Sequence, residues 1–435
     1  MLGKLAYLKE RLDTSIWLIP VGLCIVSALL AGFMLWLDRQ AGLTNLWLFG
    51  TGTSLSAARQ ILAVVAGSII SVGGVAFSVT MVSLTLTSGQ YGPKIIRNIL
   101  EDNASKTSLG LFLGTYIYTL FVMSGYLPTD KPHFSLIFSL VMAAITLLAF
   151  VQFIHRTATD LQADRIVHRI GLQLQNALSM MTQPKTEYTQ DSQTLPWRRA
   201  ARSHRARQVA AQIEGYVQTV DYDKLMQWCI EHDCRLQVQV RAGDFIVVGS
   251  CLMKAYGGDE KKLEESASTL NGYLVIGPIR TPIQDPEYAI TQLNQLAARA
   301  LSPGVNDPGS AITCIDWFSL ALAKIIDKDI PGGVFANEDH GARLLARMSN
   351  FNGVLKAIYA PLRQFARSDV SVAIRLIESL CRLAELTARP ERLRELAAHS
   401  KMIWQEISKQ PFAQYDLDDV HQRHIKLLSL TQKGH

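Results

Sequence analysis

The sequence predicts an α+β membrane protein: four transmembrane helices, then a cytoplasmic part with a small β-rich, barrel-sandwich-like module and a C-terminal helical bundle. Three observations predict it. Four long uncharged runs fill the first 156 residues, each long enough for a helix to cross a bilayer. After residue 209, apolar and polar residues alternate with period two between Gly-containing turns, as in half-buried strands. From residue 286 onward, apolar residues recur at helical spacing to the end of the chain. The implied domains are 1–156 for the spans, 157–208 for a helical extension and basic linker, 209–285 for the β-rich module and 286–435 for the bundle.

The uncharged runs are Ser15–Leu37, Gln60–Gln90, Leu109–Leu127 and Phe134–Ile154. Basic residues precede the first, but it is too long for a signal-peptide core and no small-residue cleavage site follows, so it counts as a span. Lys4, Lys9 and Arg11 precede the first span; Lys94, Arg97 and Lys106 lie between the second and third; Arg156, Arg165 and Arg169 follow the fourth. The opposite loops carry only Arg39, Arg59 and Lys131. By the positive-inside rule both termini are cytoplasmic. No run contains Asp, Glu, Lys, Arg or His, which argues against transport coupled to protons or ions through charges at depth. The net charge of +6 suits an anionic leaflet better than nucleic acid, and no nucleic-acid partner is expected. The six cysteines form no C-x-x-C pair and meet no His cluster. They predict reduced, mostly buried thiols, with no metal, cofactor or disulfide framework.

The second run stands apart. No charge occurs between Arg59 and Lys94, a gap longer than a crossing needs, so part of it extends past the hydrocarbon toward the cytoplasm. At about 100° per residue, Gly67, Ser71, Gly74 and Ser78 share one face, continued by Thr85. Thr80, Ser83 and Thr87 fall on another. Two readings stand side by side: hydroxyls bonding back to their own helix, or a small-residue packing seam with a second hydroxyl face lining a wet path. Four spans enclose little water, so a path requires a homo-oligomer. Gly92-Pro93 then breaks or bends the helix and marks either a hinge or an ordinary connection. Ile95, Ile96, Ile99 and Leu100 share a face beyond it, with Lys94 and Arg97 directed to headgroups.

In the remaining chain, the basic cluster Arg198, Arg199 and Arg202 faces either lipid headgroups or solvent and neighbouring subunits. Glu214–Asp221, Leu236–Val240, Phe245–Val248, Leu252–Tyr256 and Tyr273–Ile279 read as strands, and Tyr222–Glu231 as a helix. Helical periodicity over Tyr288–Leu301 stops at Ser302-Pro303-Gly304, and Asp307-Pro308 starts another helix as N-cap and first residue. The region from Gly341 reads as helical throughout, with Pro361 and Pro390 as punctuation. Arg280, Asp285, Arg299, Asn306, Asp307 and Asp316 are expected to converge where two helices turn beside a strand. That cluster is either a site for a small ligand or a cation, or a set of caps and buried ion pairs. No nucleophile–base pair, P-loop or metal-ligand His accompanies it, so no enzyme is expected.

The phrases MVSLTLTSGQYGPKIIRNILEDNASKTSLGLFLGTYIYTL and GYLVIGPIRTPIQDPEYAITQLNQLAARALSPGVNDPGSAITCIDWF, with the order of modules, resemble one family. It is the bacterial predicted-membrane-protein family called domain of unknown function 2254, and Arg299–Pro308 is the most specific part of the match. The resemblance covers nearly the whole chain and implies a bacterial inner-membrane protein with a cytoplasmic C-terminal region. It implies no activity. Two functions therefore stand from the residues: an oligomeric channel-like protein whose second span lines or packs a central path, or a membrane-anchored sensor or scaffold for a small ligand or protein.

Overall fold

The computed structural model describes residues 17–40, 54–91, 103–128, 134–160, 162–182, 189–191, 202, 205–337 and 341–433. It comprises a membrane unit within Leu8–Arg165 and a C-terminal unit within Ile166–His435.

The membrane unit contains α1 (Leu18–Gln40), α2 (Leu55–Tyr91), α3 (Asn103–Gly125) and α4 (Phe134–Asp160), all long and apolar enough to cross a bilayer. With 37 residues, α2 extends about 55 Å at 1.5 Å per residue, well beyond a hydrocarbon core of about 30 Å. Its packed side presents Ala58 and Leu62 to Tyr118, Val122 and Tyr126 of the neighbouring chain segment. Farther along, Ala76 meets Phe112 and Phe153.

The closest helix approach in this unit is made by α3 on α1. A Cβ on Gly110 would meet Leu23 Cδ1 at 2.5 Å, and one on Gly114 would meet Ser27 Oγ at 2.7 Å. The four-residue spacing of these glycines stacks them on one face, the arrangement that lets two backbones approach in a membrane. The expected seam on α2 is therefore not the one that operates inside the chain.

Polar groups tie the helix ends together. Asp38, at the end of α1, accepts from the Phe134 amide at 2.7 Å and the Ser135 amide at 3.3 Å, and also bonds the Ser135 hydroxyl. It thus caps the start of α4 from a distant part of the chain. Arg39 donates to Gly125 O at 2.8 Å and Arg59 to Tyr126 O at 2.9 Å, filling carbonyls at the end of α3. Arg39 and Arg59 thus both bind at the end of α3.

The C-terminal unit begins in α5 (Ala163–Met181), whose Ile170, Leu174 and Leu178 are fully buried. The next elements are β1 (Thr189–Asp191), β2 (Ala206–Ala210), β3 (Gly215–Val220), α6 (Tyr222–Glu231), β4 (Cys234–Val238), β5 (Phe245–Ile246) and β6 (Cys251–Gly257). Short helices α7 (Glu260–Glu265) and α8 (Ala267–Asn271) lead to β7 (Leu274–Gly277), then α9 (Glu287–Ala300) and α10 (Pro308–Ala323). The chain ends in β8 (Val334–Asn337), β9 (Gly341–Leu345), α11 (Phe351–Phe365), α12 (Val370–Glu385), α13 (Pro390–Ile407) and α14 (Gln414–Lys433).

Among the described residues two sheets form, in orders β1-β8-β9-β4-β6-β2 and β5-β3-β7, and neither closes into a barrel. Val217, Leu236, Val238, Ile246 and Leu252 from both sheets enter one apolar core with Trp228 of α6. The helical expectation from Gly341 needs correcting: β8 and β9 are antiparallel strands, and β9 pairs in parallel with β4 through Leu236↔Leu344. Strands β1 and β2 likewise occupy stretches expected to be loop and linker. Pro361 lies inside α11 and does not end it, whereas Pro390 is the first residue of α13. All six cysteines are free thiols.

Candidate functional site

The second span presents two unlike faces. Gly67, Ser71, Gly74, Ser78 and Thr85 are all exposed, and a Cβ on Gly67 or Gly74 would meet nothing within 4 Å. Val64 and Val75 on one side and Ile70 and Phe77 on the other are also exposed, so the stripe forms a shallow groove between bulkier residues. Thr80, Ser83 and Thr87 lie roughly 160–220° around the helix from Gly67 and turn inward. Thr80 is half-buried, and Ser83 and Thr87 are buried. Of packing and a wet path, packing is the reading that this burial fits. The three residues belong to the face that packs within the chain, and Thr87 Oγ1 is enclosed without a hydrogen-bond partner.

Several hydroxyls bond back to their own helix. Ser71 Oγ donates to Gly67 O at 2.8 Å, Thr80 Oγ1 to Ala76 O at 2.9 Å and Thr85 Oγ1 to Met81 O at 2.9 Å. These bonds satisfy the donors and leave hydroxyl lone pairs on an uncharged surface. Other exposed faces of the unit differ in kind. On α1 they carry Ile25, Leu29 and Phe33, and on α4 Leu140, Ile145 and Leu148. The hinge Gly92-Pro93 and the headgroup candidates Lys94, Arg97, Arg198 and Arg199 lie outside the described residues, while Arg202 is exposed.

The six polar residues expected to converge in the C-terminal unit separate into three places. Arg280 and Asp285 meet directly: Arg280 Nη2 donates to Asp285 Oδ1 at 3.0 Å, and Nε bonds Oδ2. The same carboxylate accepts from the Glu287 amide at 3.0 Å at the start of α9. Burial pushes the Asp285 carboxyl above its ordinary range, against the opposing pull of Arg280. Gly243 adopts φ of +94°, and a Cβ there would sit 2.5 Å from Asp285 Oδ2. This close approach requires glycine. Around the pair, Arg241 Nη2 reaches Glu287 Oε1 at 2.8 Å, and Arg347 Nη1 reaches Asp244 Oδ2 at 3.3 Å.

Asp307 caps α10 alone. Its carboxylate accepts from the Ser310 amide at 3.1 Å and the Ser310 hydroxyl at 2.5 Å, and those bonds hold it below the usual carboxylate range. Arg299 ends α9, and Asn306 supplies the left-handed turn before α10 with φ of +48°. Asp316 belongs to a different network. Arg375 grips it through Nε at 2.8 Å and Nη2 at 2.7 Å, and Arg375 and Arg423 then share Glu378 at 3.1 and 2.9 Å. That ladder joins α10, α12 and α14.

The convergence is thus corrected for physical reasons. Asp316 is more than two turns along α10 from its cap, and its cation comes from α12. Arg241, Asp244, Glu287 and Arg347 complete the Arg280–Asp285 cluster. Their only sequence signals were the turn residues Ala242-Gly243-Asp244 and the helix start at Asp285-Pro286-Glu287. Each charge in this cluster is met by an opposite one, so its evident work is to clasp β5, β7 and α9. Among the described residues no group of three His, Cys, Asp or Glu side chains is placed to hold a metal.

A family described as Predicted membrane protein (DUF2254) matches residues 13–382 of this chain. The chain is 23% identical over 407 residues to Uncharacterized protein MT1328 of Mycobacterium tuberculosis (strain CDC 1551 / Oshkosh), covering 90% of this chain and 76% of that one. Similarity of the same extent links it to Uncharacterized protein Mb1321c of Mycobacterium bovis. No solved structure matches the chain.

Proposed function

Because the chain belongs to that family of membrane proteins, we propose that it assembles in a bacterial inner membrane as a channel-like homo-oligomer with α2 at the centre. One observation carries this: the exposed face of α2 carries a narrow stripe of small and hydroxylated residues between bulkier neighbours such as Val75 and Phe77, whereas the exposed faces of α1 and α4 named above are bulky and apolar. Lipid tails offer such a groove no hydrogen bond and no close fit, whereas a second copy of α2 offers both. Copies arranged around this face surround a path of Ser and Thr hydroxyls without charge, which admits water and small solutes without strong selection for sign. Both termini are cytoplasmic on this reading, and the C-terminal unit regulates the path.

The test is the mass of the full chain in nanodiscs, followed by solute and ion flux from liposomes. The expected result is an oligomer with measurable flux, and Gly74→Leu or Ser78→Leu should reduce both. A monomer sinks the proposal, and an oligomer that passes nothing sinks the channel.

A further inference from the structure

The three-stranded sheet is buried on both faces along most of β3 and is open on one side only near β5. Val217 and Ile246 enter the core. On the opposite face Tyr216 lies across from Phe245, with ring centroids 5.0 Å apart, and Phe245 is still 61% exposed. Val247 is 55% exposed, and Ile279, two residues past β7, is 57% exposed. Between this ladder and the β2–β6 pairing, a bend and a turn lie side by side. Ala211 N donates to Ser250 O at 2.8 Å and Gly249 N to Ala211 O at 2.9 Å. Ile213 and Val248, at 52% and 59% exposed, therefore lie at the same end.

Exposed apolar residues scattered singly need no explanation, but the backbone pairing gathers these toward one end of the sheet. At roughly 100 Å² each they form a patch of about 500 Å², a size that marks interaction surfaces. The two-residue strand β5 is also an edge, pairing only with β3 among the described residues. A groove of about 360 Å³ runs beside it, lined by Asp244, Phe245, Val247 and Arg347 among others.

We infer that this face is where the C-terminal units of two copies of the chain meet, patch against patch. Two such patches together cover about 1,000 Å², near the lower bound for a specific interface. That is little for a freely diffusing partner and sufficient for copies already held by their spans, so the inference rests on the proposed oligomer. The rim also fits a self-complementary contact. Glu214 is exposed on one side, and Arg347, which pairs with Asp244 of its own chain yet keeps 59% of its side chain exposed, lies on the groove side, so a two-fold arrangement can bring unlike charges together. An anionic lipid surface would instead favour a rim of one sign.

The test places the photo-crosslinking residue benzoylphenylalanine at Phe245 in one full-length protein and at Gly74 in another, both in nanodiscs. The expected result is a covalent dimer from the Phe245 probe, mapped to a peptide containing Val247 or Ile279. Ile279→Glu should abolish that dimer while the Gly74 probe still crosslinks. If the Gly74 probe crosslinks and the Phe245 probe yields only lipid adducts, adducts to another protein or none, the patch contact is overturned and the oligomer stands. If the Phe245 probe alone gives dimers, the contact stands and the α2-centred assembly fails. If neither crosslinks, both fail.

Discussion

His399 provides a quantitative check on the C-terminal unit. It lies in the middle of α13, 6% exposed, with its ring 5.8 Å from Tyr359 of α11. Burial, with Arg363 and Lys356 nearby, pushes its pKa from 6.5 down to about 4. The folded state therefore keeps His399 neutral where the unfolded chain binds a proton. Its contribution to stability is complete above about pH 6.5, is lost as pH falls through the window, and levels off below about pH 4. At 1.36 kcal/mol per unit, moving from pH 7.5 to pH 5 costs about 2 kcal/mol through this residue. For a unit of this size that is a drop of roughly 4–8 °C in melting temperature. The assay is the thermal melt of the full chain in detergent at several pH values, beside His399→Gln, which cannot titrate. Other groups, including His424 with its own lowered pKa, titrate in both proteins, so the difference between the profiles isolates His399. Wild type should lose stability more steeply than the variant between pH 7 and 5. Parallel profiles would refute the reasoning.

Two further substitutions probe packing and network separation. The Trp317 ring lies directly over Gly171 of α5, so Gly171→Ala has no room for its methyl group. Overpacking there should cost about 1–3 kcal/mol and speed proteolysis within α5; an unchanged digestion pattern would contradict the packing. If Asp285 and Asp316 belong to separate networks, the stability losses of Asp285→Asn and Asp316→Asn should add to within about 0.5 kcal/mol in the double variant. A larger departure, read from denaturant melts, would mean that the two networks act as one.

How much was legible in the sequence depended on the range of the signal. The helix over Tyr222–Glu231 was readable as a local run, and its start is fixed locally by Asp221, which accepts from the Lys224 amide. The strand at Cys251–Gly257 announced itself by alternation, and the α9–α10 break by Ser302-Pro303-Gly304 and Asp307-Pro308. By contrast, β9 carries consecutive Leu344 and Leu345 without alternation, and it is a strand because Leu236 lies beside it in the fold. No local pattern encodes that pairing. The expected convergence of the six polar residues failed for a related reason. Helix ends were visible, but which carboxylate meets which cation depends on how α10, α12 and α14 pack, and periodicity within one helix does not contain that.

Small residues on the spans make the same distinction in a form that bears on function. Gly110 and Gly114 of α3 and Gly67 and Gly74 of α2 are similar in sequence, small residues at near-helical repeats in apolar runs. In the folded chain their fates divide. The α3 pair is filled by Leu23 and Ser27 of α1, whereas the α2 pair faces nothing within 4 Å. A helix interior gains nothing from glycine by itself, since each costs about 1 kcal/mol relative to alanine. On α3 the close approach to α1 offsets that cost. The α2 glycines lack such an offset within one chain, and their stripe also carries Ser71, Ser78 and Thr85. On the proposed assembly, the compensating contact comes from a neighbouring copy. A second α2, with the same groove and hydroxyls, supplies it more readily than lipid does.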